Sequence, residues 1–324
     1  MISAVICTAN PRLDYLQRTV ESVLSQDLNS EQSELLIIDN ASTPPIATFP
    51  IVSQHGLRIV REERVGLTAA KERAAREASG EVIVFVDDDN VLASDYMRTV
   101  AELFSDSRLG VVGPHIEPEY EIEPPDWFLD PRMEGSVVIR RLPNERLYIS
   151  TIPETGSYFP SGAGSCVRRS LLTSYFDSLT EETRVEGRLG TKLSGGEDWD
   201  MALYAIDQGY LVGTCGKLRV THLIPSKRLE PAYLSRLAVG SLDGAERVNQ
   251  KWKPRFGHDV VPYFRSSATS EALKGLLHLC LAASPRDRVL AHFHLHLAWL
   301  LLRRRLSHPV VRLIQRLDWR SRRP

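Results

Sequence analysis

Short apolar runs alternate with amphipathic stretches over the first 113 residues of the chain. In the amphipathic stretches, apolar residues recur every three or four positions, as on a helix face that packs against a core. The predicted strands are Ile2–Cys7, Leu35–Ile38, Leu57–Val60 and Val82–Val86, and the predicted helices are Asp14–Gln26, Leu67–Ala78 and Asp95–Phe104. Continuously apolar strands that alternate with helices predict an α/β fold with a mainly parallel central sheet covered by helices.

Residues 114–157 interrupt this alternation with seven prolines. They predict an inserted loop region, and long loops of this kind often bind ligands. The elements predicted from here on are short strands near Val137–Ile139 and Leu147–Ile149, a helix at about Asp198–Gln208, and strands near Leu211–Thr214 and Arg219–Thr221.

Charge is distributed unevenly along the chain. Residues 274–324 hold 11 Lys or Arg and two Asp, a net charge of +9, and the remaining 273 residues carry −10. We expect one domain over residues 1–240, whose halves 1–113 and 114–240 differ in the rhythm of their elements, followed by a helical, basic C-terminal extension over 241–324. A body and an extension of opposite charge are expected to meet different partners.

The run Val289–Leu302 contains fourteen residues without Asp, Glu, Lys or Arg, and three arginines follow it. Fourteen residues are too few to span a bilayer, which takes about 20. Two interpretations remain open. The run is either a core helix, with the basic extension packed on the acidic body, or an interfacial helix whose basic end contacts anionic lipid, so that residues 274–324 make a peripheral membrane contact.

The remaining bulk properties limit the classes of function. The formal net charge of −1 argues against a nucleic-acid-binding protein, and four widely spaced cysteines offer no zinc-binding pattern and fit a reducing compartment. The N-terminal residues Met1–Cys7 resemble a first strand rather than a signal peptide. These features predict a cytoplasmic protein, and the interfacial interpretation of residues 274–324 would place it peripherally on the inner face of the plasma membrane.

Polar residues that could bind a ligand or take part in a reaction follow three predicted strands. Asp87-Asp88-Asp89 follows the strand that ends at Val86, and Asp39 follows the second strand. Because adjacent carboxylates repel one another, they favour a divalent cation with hard oxygen ligands, Mg²⁺ or Mn²⁺. A solvated acidic turn at 87–89 and an Asx-type turn at Asp39 are the alternatives.

Strand one leads into Thr8-Ala9-Asn10-Pro11-Arg12, where a nucleotide could dock. In the alternative interpretation, which does not exclude the first, Asn10 lies at or near the N-cap of the next helix and Pro11 is its first residue. Two further segments open helices, Gly66–Lys71 and Gly195–Asp200. Acids in a first helical turn are favoured by the helix dipole, but the dipole does not require three acids around Trp199.

Taken in order, these motifs resemble those of the family 2 inverting glycosyltransferases with the GT-A fold. The resemblance covers roughly residues 2–240. The motifs that carry it are Val5-Ile6-Cys7-Thr8-Ala9-Asn10-Pro11-Arg12, Ile37-Ile38-Asp39-Asn40-Ala41-Ser42, Glu63-Arg64-Val65-Gly66-Leu67-Thr68-Ala69-Ala70-Lys71, Gly80–Asp89, Gly162-Ala163-Gly164, Gly196-Glu197-Asp198 and His222-Leu223-Ile224-Pro225. The resemblance implies a nucleotide-diphosphate sugar as donor, Mn²⁺ or Mg²⁺ as cofactor, and a sugar or lipid-linked acceptor.

The resemblance also implies a role for each matching residue. Asp198 corresponds to the catalytic base. The implied substrate- and nucleotide-binding residues are Thr8, Asn10 and Asp39 at the base and ribose, Lys71 at the nucleotide, Asp87 at the ribose, Glu197 and Trp199 at the acceptor, and Arg228 at a phosphate. The implied metal-binding residues are Asp89, Asp87 through water, and His222, for which a structural role at a strand end is the alternative.

Two other functions stay open at this point. A sugar-1-phosphate nucleotidyltransferase would share the acids and the nucleotide, but it would usually have a glycine-rich loop where Thr8-Ala9-Asn10-Pro11 stands. A catalytically degenerate, membrane-associated partner protein is the other alternative, because the family often has Ala-Arg-Asn where this chain has Ala70-Lys71-Glu72. Lys71 keeps the charge of an arginine but not its planar fork.

Overall fold

The computed structural model describes residues 1–28, 32–156, 158–190, 192–280 and 284–304. Over these ranges the chain forms one sheet between two layers of helices. The strands are β1 Ile2–Thr8, β2 Ser33–Asn40, β3 Arg58–Glu62, β4 Val82–Val86, β5 Asn90–Leu92, β6 Leu109–Tyr120, β7 Leu147–Ser150, β8 Cys166–Arg168 and β9 Leu211–Ile224. The helices are α1 Leu13–Leu24, α2 Pro50–His55, α3 Leu67–Glu77, α4 Tyr96–Leu103, α5 Pro131–Ser136, α6 Arg169–Ser178, α7 Glu197–Asp207, α8 Pro231–Phe256, α9 Ala268–Cys280 and α10 Pro285–Arg303.

The predicted α/β architecture is confirmed, with a sheet order of β3-β2-β1-β4-β8-β6-β9-β5 and with β7 on β9. The pairs β3–β2, β2–β1, β1–β4 and β6–β9 are parallel. The pairs β4–β8, β8–β6, β9–β5 and β9–β7 are antiparallel. The parallel arrangement is therefore concentrated in the first half of the chain, where helices connect successive strands.

Alternate residues of the central strands face two separate cores. Val5 packs in the core that α3, α6 and α7 cover, whereas Ala4 and Ile6 pack in the core that α1 and α4 cover. Side chains alternate between the two faces of a strand, so a strand buried on both sides must be apolar throughout. This explains why β1 and β4 are continuous apolar runs.

The predicted loop region at 114–157 is partly regular. Strand β6 continues through Pro114 and Pro118 to Tyr120. Ile116 donates its N–H to Arg140 rather than to β9, and Pro118, two residues on, has its missing N–H on the same side. That proline therefore costs the β6–β9 pairing no hydrogen bond. The predicted strand Leu147–Ile149 is confirmed as β7.

The predicted strand at Val137–Ile139 is wrong. Val138 has a φ of 66°, and this segment turns back on α5, since Ile139 donates its N–H to the carbonyl of Glu134. Val137 and Ile139 are buried in a third core, with residues of α8 and α10. The apolar triplet is thus buried by helices instead of by a sheet.

The strands predicted near Leu211–Thr214 and Arg219–Thr221 are one strand, β9. It pairs along its length with β6, and a bulge near Pro114 and His115 takes up the irregular register. His222 lies near the end of β9 and pairs with Asn90 of β5. This pairing brings His222 beside the acids that precede β5.

The C-terminal helices pack on the body. The predicted boundary at residue 240 falls within α8, whose Leu242, Val248 and Trp252 lie in the same core as α3, α6 and α7. The run Val289–Leu302 belongs to α10, where most apolar side chains are buried, as expected of a core helix. Arg304 binds Glu246 of α8 and Asp259 at distances of 2.5–3.0 Å. Residues 305–324 lie outside the described residues.

Candidate active site

The ends of β1, β2 and β4 lie side by side at one edge of the sheet. Thr8 is paired in register with Asp39, and Ile6 with Val86, the residue before the three acids. The Thr8 hydroxyl donates a hydrogen bond to a carboxylate oxygen of Asp88. Because parallel strands all end at the same edge, residues far apart in the sequence meet there, where ligands of open α/β sheets bind.

Asp39 is buried, and its carboxylate organises the loop after β2. Its oxygens accept hydrogen bonds from the N–H groups of Ser42 and Ile46 at 3.0 and 3.1 Å, and from Arg61 at 2.9 Å. Burial opposes ionisation of Asp39, but these hydrogen bonds outweigh it and hold its pKa below the usual range. The interpretation as a turn therefore describes its contacts in the structure, and a contact with a nucleotide base stays a prediction.

Asn10 joins the loops after β1 and β2. Its N–H donates to the Ser42 hydroxyl at 2.9 Å, and its side-chain oxygen accepts from the Thr43 N–H at 2.8 Å. Its φ of 52° lies in the left-handed region, which asparagine tolerates better than most residues. The interpretation that Asn10 caps the next helix is wrong, because α1 begins at Leu13 with Arg12 as its N-cap. Instead of capping a helix, Asn10 links the two loops through its hydrogen bonds with Ser42 and Thr43.

The three acids after β4 have unlike environments. Burial, with repulsion from Asp89, raises the pKa of Asp87. Burial, again with repulsion from Asp89, raises the pKa of Asp88 to about 7. Burial also opposes ionisation of Asp89, but His222 and Arg228 hold its pKa well below the usual range. Asp89 is therefore the most readily ionised of the three, and added positive charge would favour ionisation of its two neighbours.

Arg228 bridges Asp89 and His222. Its Nη2 donates to Oδ2 of Asp89 at 2.6 Å, and its Nη1 donates to Nε2 of His222 at 2.8 Å. The His222 Nε2 and the Asp89 Oδ1 are 3.5 Å apart. The Nδ1 atom of His222 is buried and has no hydrogen-bond partner among the described residues. The structure thus places His222, Arg228 and Asp89 in one cluster. The metal and phosphate roles that the resemblance implies for these residues stay predictions.

The same cluster tests whether these residues fit a divalent ion. No group of three or more His, Cys, Asp or Glu in the described part of the chain is arranged to hold a metal. Asp89 and His222 nevertheless offer one oxygen and one nitrogen that could serve as metal ligands, and both side chains already bind a cation, the guanidinium of Arg228. The pair fits Mn²⁺ or Mg²⁺ if Arg228 moves aside and if oxygens of a diphosphate complete the coordination, since Mg²⁺ commonly combines few carboxylates with substrate phosphates.

Lys71 lies at the centre of the charges in the site. Its Nζ binds Oε1 of Glu197 at 3.0 Å, and both side chains are at least nine-tenths buried. Burial disfavours the ammonium form, but Glu197, Asp198 and Asp87 outweigh burial and raise the pKa of Lys71. The predicted lysine at the nucleotide and the predicted acid at the acceptor therefore form a buried ion pair that links α3 to α7.

Asp198 is held in place by backbone donors. Its Oδ2 accepts from the N–H of Gly162 at 2.8 Å, and its Oδ1 accepts from the N–H of Trp199 at 2.9 Å. A side chain at Gly162 would meet Lys71 Nζ at 3.3 Å, so this glycine lets the backbone come close to both charged groups. Burial, increased by the charge of Glu197, raises the pKa of Asp198 to about 6. A fixed carboxylate with this pKa is suited to accept a proton near neutral pH.

Asp200, two residues further on, has a different role. It is fully buried and binds the Tyr175 hydroxyl at 2.7 Å, Lys251 at 2.8 Å and the Trp252 indole N–H at 2.6 Å. These contacts hold α7 against α6 and α8. Asp200 therefore has no free face for a substrate, which leaves Asp198 as the candidate base.

Sequence reasoning missed three residues that influence the site. Asp88, between the two predicted ligands, contacts Thr8. Arg188 lies close enough to lower the pKa values of Asp87 and Asp89. Arg140 donates to the carbonyl of Phe159 at 2.6 Å and lies near Asp198. Both arginines belong to irregular segments with no local pattern, so only the excess of arginine in these loops could have indicated them.

Trp127, Phe128 and Tyr158, in or next to the loop region 114–157, are the aromatic residues that the sequence offers for stacking on sugar faces. Phe128 is fully buried in the third core, so it offers no surface to a sugar. Tyr158 stacks on Tyr148 with ring centroids 4.2 Å apart and is 40% exposed. Trp199 is partly buried at the start of α7. Tyr158 and Trp199 therefore remain available as surfaces for an acceptor.

Comparisons with known proteins agree with this geometry. The model of a family described as glycosyl transferase family 2 matches residues 3–176, which is 174 of 324 residues. The chain is 29% identical over 121 residues to a probable N-acetylgalactosaminyltransferase 9 of Caenorhabditis elegans, covering 36% of this chain and 21% of that protein. It is 26% identical over 133 residues to a glucosyl-dolichyl phosphate glucuronosyltransferase of Haloferax volcanii, covering 39% and 42%. The matched region is thus less than half the length of either relative.

Two solved structures support the fold. The mannosyltransferase PcManGT from Pyrobaculum calidifontis, in complex with GDP-Man and Mn²⁺, aligns with a TM-score of 0.61 and 16% identity over 93% of this chain and 86% of that one. GalNAc-T7, with UDP, GalNAc and Mn²⁺, aligns with a TM-score of 0.51 and 19% identity over 79% and 50%. At these identities the likeness establishes a GT-A glycosyltransferase fold with a C-terminal helical region. Together with the family model, it shows that the chain belongs to glycosyl transferase family 2.

Proposed function

We propose that this protein transfers a glycosyl group from a nucleotide-diphosphate sugar to an acceptor hydroxyl with inversion, and that Asp198 is the general base. The observation that carries the proposal is the position of Asp198. Two backbone N–H groups fix its carboxylate, and Lys71 couples it to the acids at the end of β4. A base held near the donor site can accept the acceptor's proton as its oxygen attacks the anomeric carbon.

The cations of the site suit a diphosphate leaving group. Lys71, Arg188 and Arg228 all lie within electrostatic range of the acids at 87–89. We propose that Asp89 and His222 hold Mn²⁺ or Mg²⁺, with Asp87 contributing through water. When bound, such an ion stabilises the negative charge that develops on the diphosphate. Arg228 would then be free to contact a phosphate oxygen.

The acceptor proposed here is a sugar or a lipid-linked glycan in the synthesis of a surface polysaccharide or glycolipid. Support comes from the named lipid-phosphate substrate of the Haloferax volcanii relative. Within the site, Glu197 and Trp199 flank Asp198 in the first turn of α7. Family membership favours glycosyl transfer over the nucleotidyl transfer considered above, and retention of Asp87, Asp89 and Asp198 favours an active enzyme over a degenerate partner protein.

The first experiment identifies the donor. UDP-, GDP- and dTDP-sugars are screened by thermal shift with Mn²⁺ and with Mg²⁺, because a ligand that binds only the folded state raises the melting temperature. Release of nucleotide diphosphate is then measured with candidate acceptors. If no donor is stabilising with either metal, the proposal is wrong. If a donor binds but no acceptor leads to release of the nucleotide diphosphate, the result would instead support a catalytically degenerate partner protein.

The second experiment tests the base. Asp198→Asn should lower turnover by about 10²–10⁴-fold, the usual contribution of general-base catalysis, and leave donor binding nearly unchanged. Asp207→Asn, at the other end of α7, is the matched control and should keep parental turnover. Wild-type turnover should fall as the pH drops through about 6, where Asp198 takes up a proton. Undiminished turnover of Asp198→Asn, or a retained anomeric configuration by proton NMR, would contradict the mechanism.

A further inference from the structure

Helix α9 has its polar side turned inward and its leucines turned outward. Glu271 is 2% exposed and Gly275 is buried, whereas Leu273, Leu276 and Leu277 are 63%, 52% and 57% exposed. At about 100° per residue, these three leucines share one stripe with Cys280, opposite Glu271, Gly275 and His278. An ordinary surface helix has the reverse orientation, so the outer stripe lacks the apolar partner that its composition calls for.

Contacts with α10 fix this orientation. Glu271 binds Nδ1 of His294 at 2.6 Å, and His278 Nδ1 binds Asp287 at 3.1 Å. The rings of His278 and His294 stack with centroids 5.6 Å apart. A side chain at Gly275 would meet Leu295 at 2.6 Å, so the two helices are in close contact there. If α9 rotated to bury its leucines, each of these contacts with α10 would break.

We infer that the outer stripe of α9, formed by Leu273, Leu276, Leu277 and the exposed Cys280, docks on an anionic lipid surface. The charges favour lipid over another protein surface. Both acids of α9 and α10, Glu271 and Asp287, are buried and paired. The exposed cations of these two helices are Lys274, which also pairs with Glu271 at 2.6 Å, and Arg288. Residues 305–324 add six arginines and one aspartate, a formal charge of +5.

An apolar stripe beside exposed cations matches the interface of an anionic bilayer, where leucines enter the acyl boundary and cations stay at the headgroups. The described helices include none long and apolar enough to cross a membrane. The proposed contact is interfacial because the leucine stripe occupies only one face of α9. It differs from the contact predicted by the sequence, because Val289–Leu302 is a core element and α9 is the contacting helix. The inference does not depend on the proposed glycosyl transfer.

The test is flotation of the full-length protein with vesicles of phosphatidylcholine containing about 30% phosphatidylglycerol, in low and high salt. The wild type should float at low salt, and its bound fraction should fall in high salt and with pure phosphatidylcholine. The double variant Leu273→Ser/Leu277→Ser should bind at least about tenfold less, as expected when two half-buried leucines are lost. The matched control, Leu24→Ser/Leu129→Ser, removes two leucines of 45% and 49% exposure elsewhere and should float like the wild type.

Each alternative has its own outcome. If the wild type does not float, or if Leu273→Ser/Leu277→Ser floats equally well, the inference is overturned. Dimers of the wild type that dissociate in this double variant, seen by analytical ultracentrifugation without vesicles, would show that a second copy covers the face and would also overturn it. Unchanged thermal melting of both double variants confirms that altered binding does not reflect unfolding.

Discussion

Replacing Lys71 with methionine tests how the site balances its charges. Lys71 Nζ lies 3.0 Å from Glu197 in a buried environment, and it also lies near Asp198 and Asp87. At that distance and an effective dielectric constant of about 20, the Coulomb attraction is about 5–6 kcal/mol. Lys71→Met keeps the size of the stem but leaves Glu197 buried and unpaired. We expect a loss of about 3–5 kcal/mol in the free energy of unfolding.

The double variant Lys71→Met/Glu197→Gln separates the charge effect from packing. Like Lys71→Met, the double variant lacks the ion pair, but it leaves no unpaired charge in the core. It should therefore recover more than half of the unfolding free energy that Lys71→Met loses. Urea unfolding at pH 7 measures the free energy of unfolding of the wild type, of Lys71→Met and of the double variant. A loss below about 1 kcal/mol for Lys71→Met, or a double variant no more stable than this single variant, would refute the reasoning.

The same change has a functional consequence. Lys71 lowers the pKa of Asp198, in opposition to burial and the charge of Glu197, which together raise it to about 6. Without Lys71 the pKa of Asp198 should rise further. The acid limb of the pH–turnover profile should therefore move to higher pH in Lys71→Met. An unmoved limb in a folded variant would mean that Asp198 does not set it.

Three further predictions follow from the site. Asp88 has a pKa raised to about 7, so its ionisation lowers stability progressively from about pH 4 to pH 7, and the full penalty is present only above pH 7. Asp88→Asn should therefore stabilise the metal-free protein at pH 8 by about 2–4 kcal/mol and change little at pH 4, by urea unfolding. Arg228→Ala should raise the Mn²⁺ affinity of the donor-free protein at least about tenfold by calorimetry, because it removes a competing charge-assisted contact; equal or lower affinity would contradict the bridge. Gly244→Ala would place its Cβ 1.9 Å from the Gly195 carbonyl and displace the loop before the general base, so turnover should fall about tenfold or more. Gly135→Ala, which has open space, is the control and should be neutral.

Much of the fold could be predicted from the sequence because its patterns are local. The strands β1 and β4 are apolar on both faces, and α3 and α7 begin after glycines. Parallel strands end at a common edge, so Thr8, Asp39 and Asp87 could be placed together without coordinates. The strand at Val137–Ile139 was predicted wrongly because an apolar triplet indicates burial but not the kind of element that buries it.

The pairings within the site depended on tertiary structure. Lys71 and Glu197 are 126 residues apart, and Asp89 and Arg228 are 139 residues apart. No local pattern specifies that a guanidinium will bridge Asp89 and His222. That contact arises because the pairing of β5 with β9 brings the end of β9 alongside the acids, and the turn that follows places Arg228 between them.

Helix α9 shows the same division. Its sequence determines that the leucines share one face and that Glu271 and His278 share another, because the helical period is fixed. It does not determine which face turns inward. The inward face is determined by α10, whose His294 and Asp287 bind Glu271 and His278 of α9. Leucines packed against α10 would remove the partners that His278 and Glu271 supply to Asp287 and His294, and buried polar groups without partners are costly, which is why the polar face packs inward.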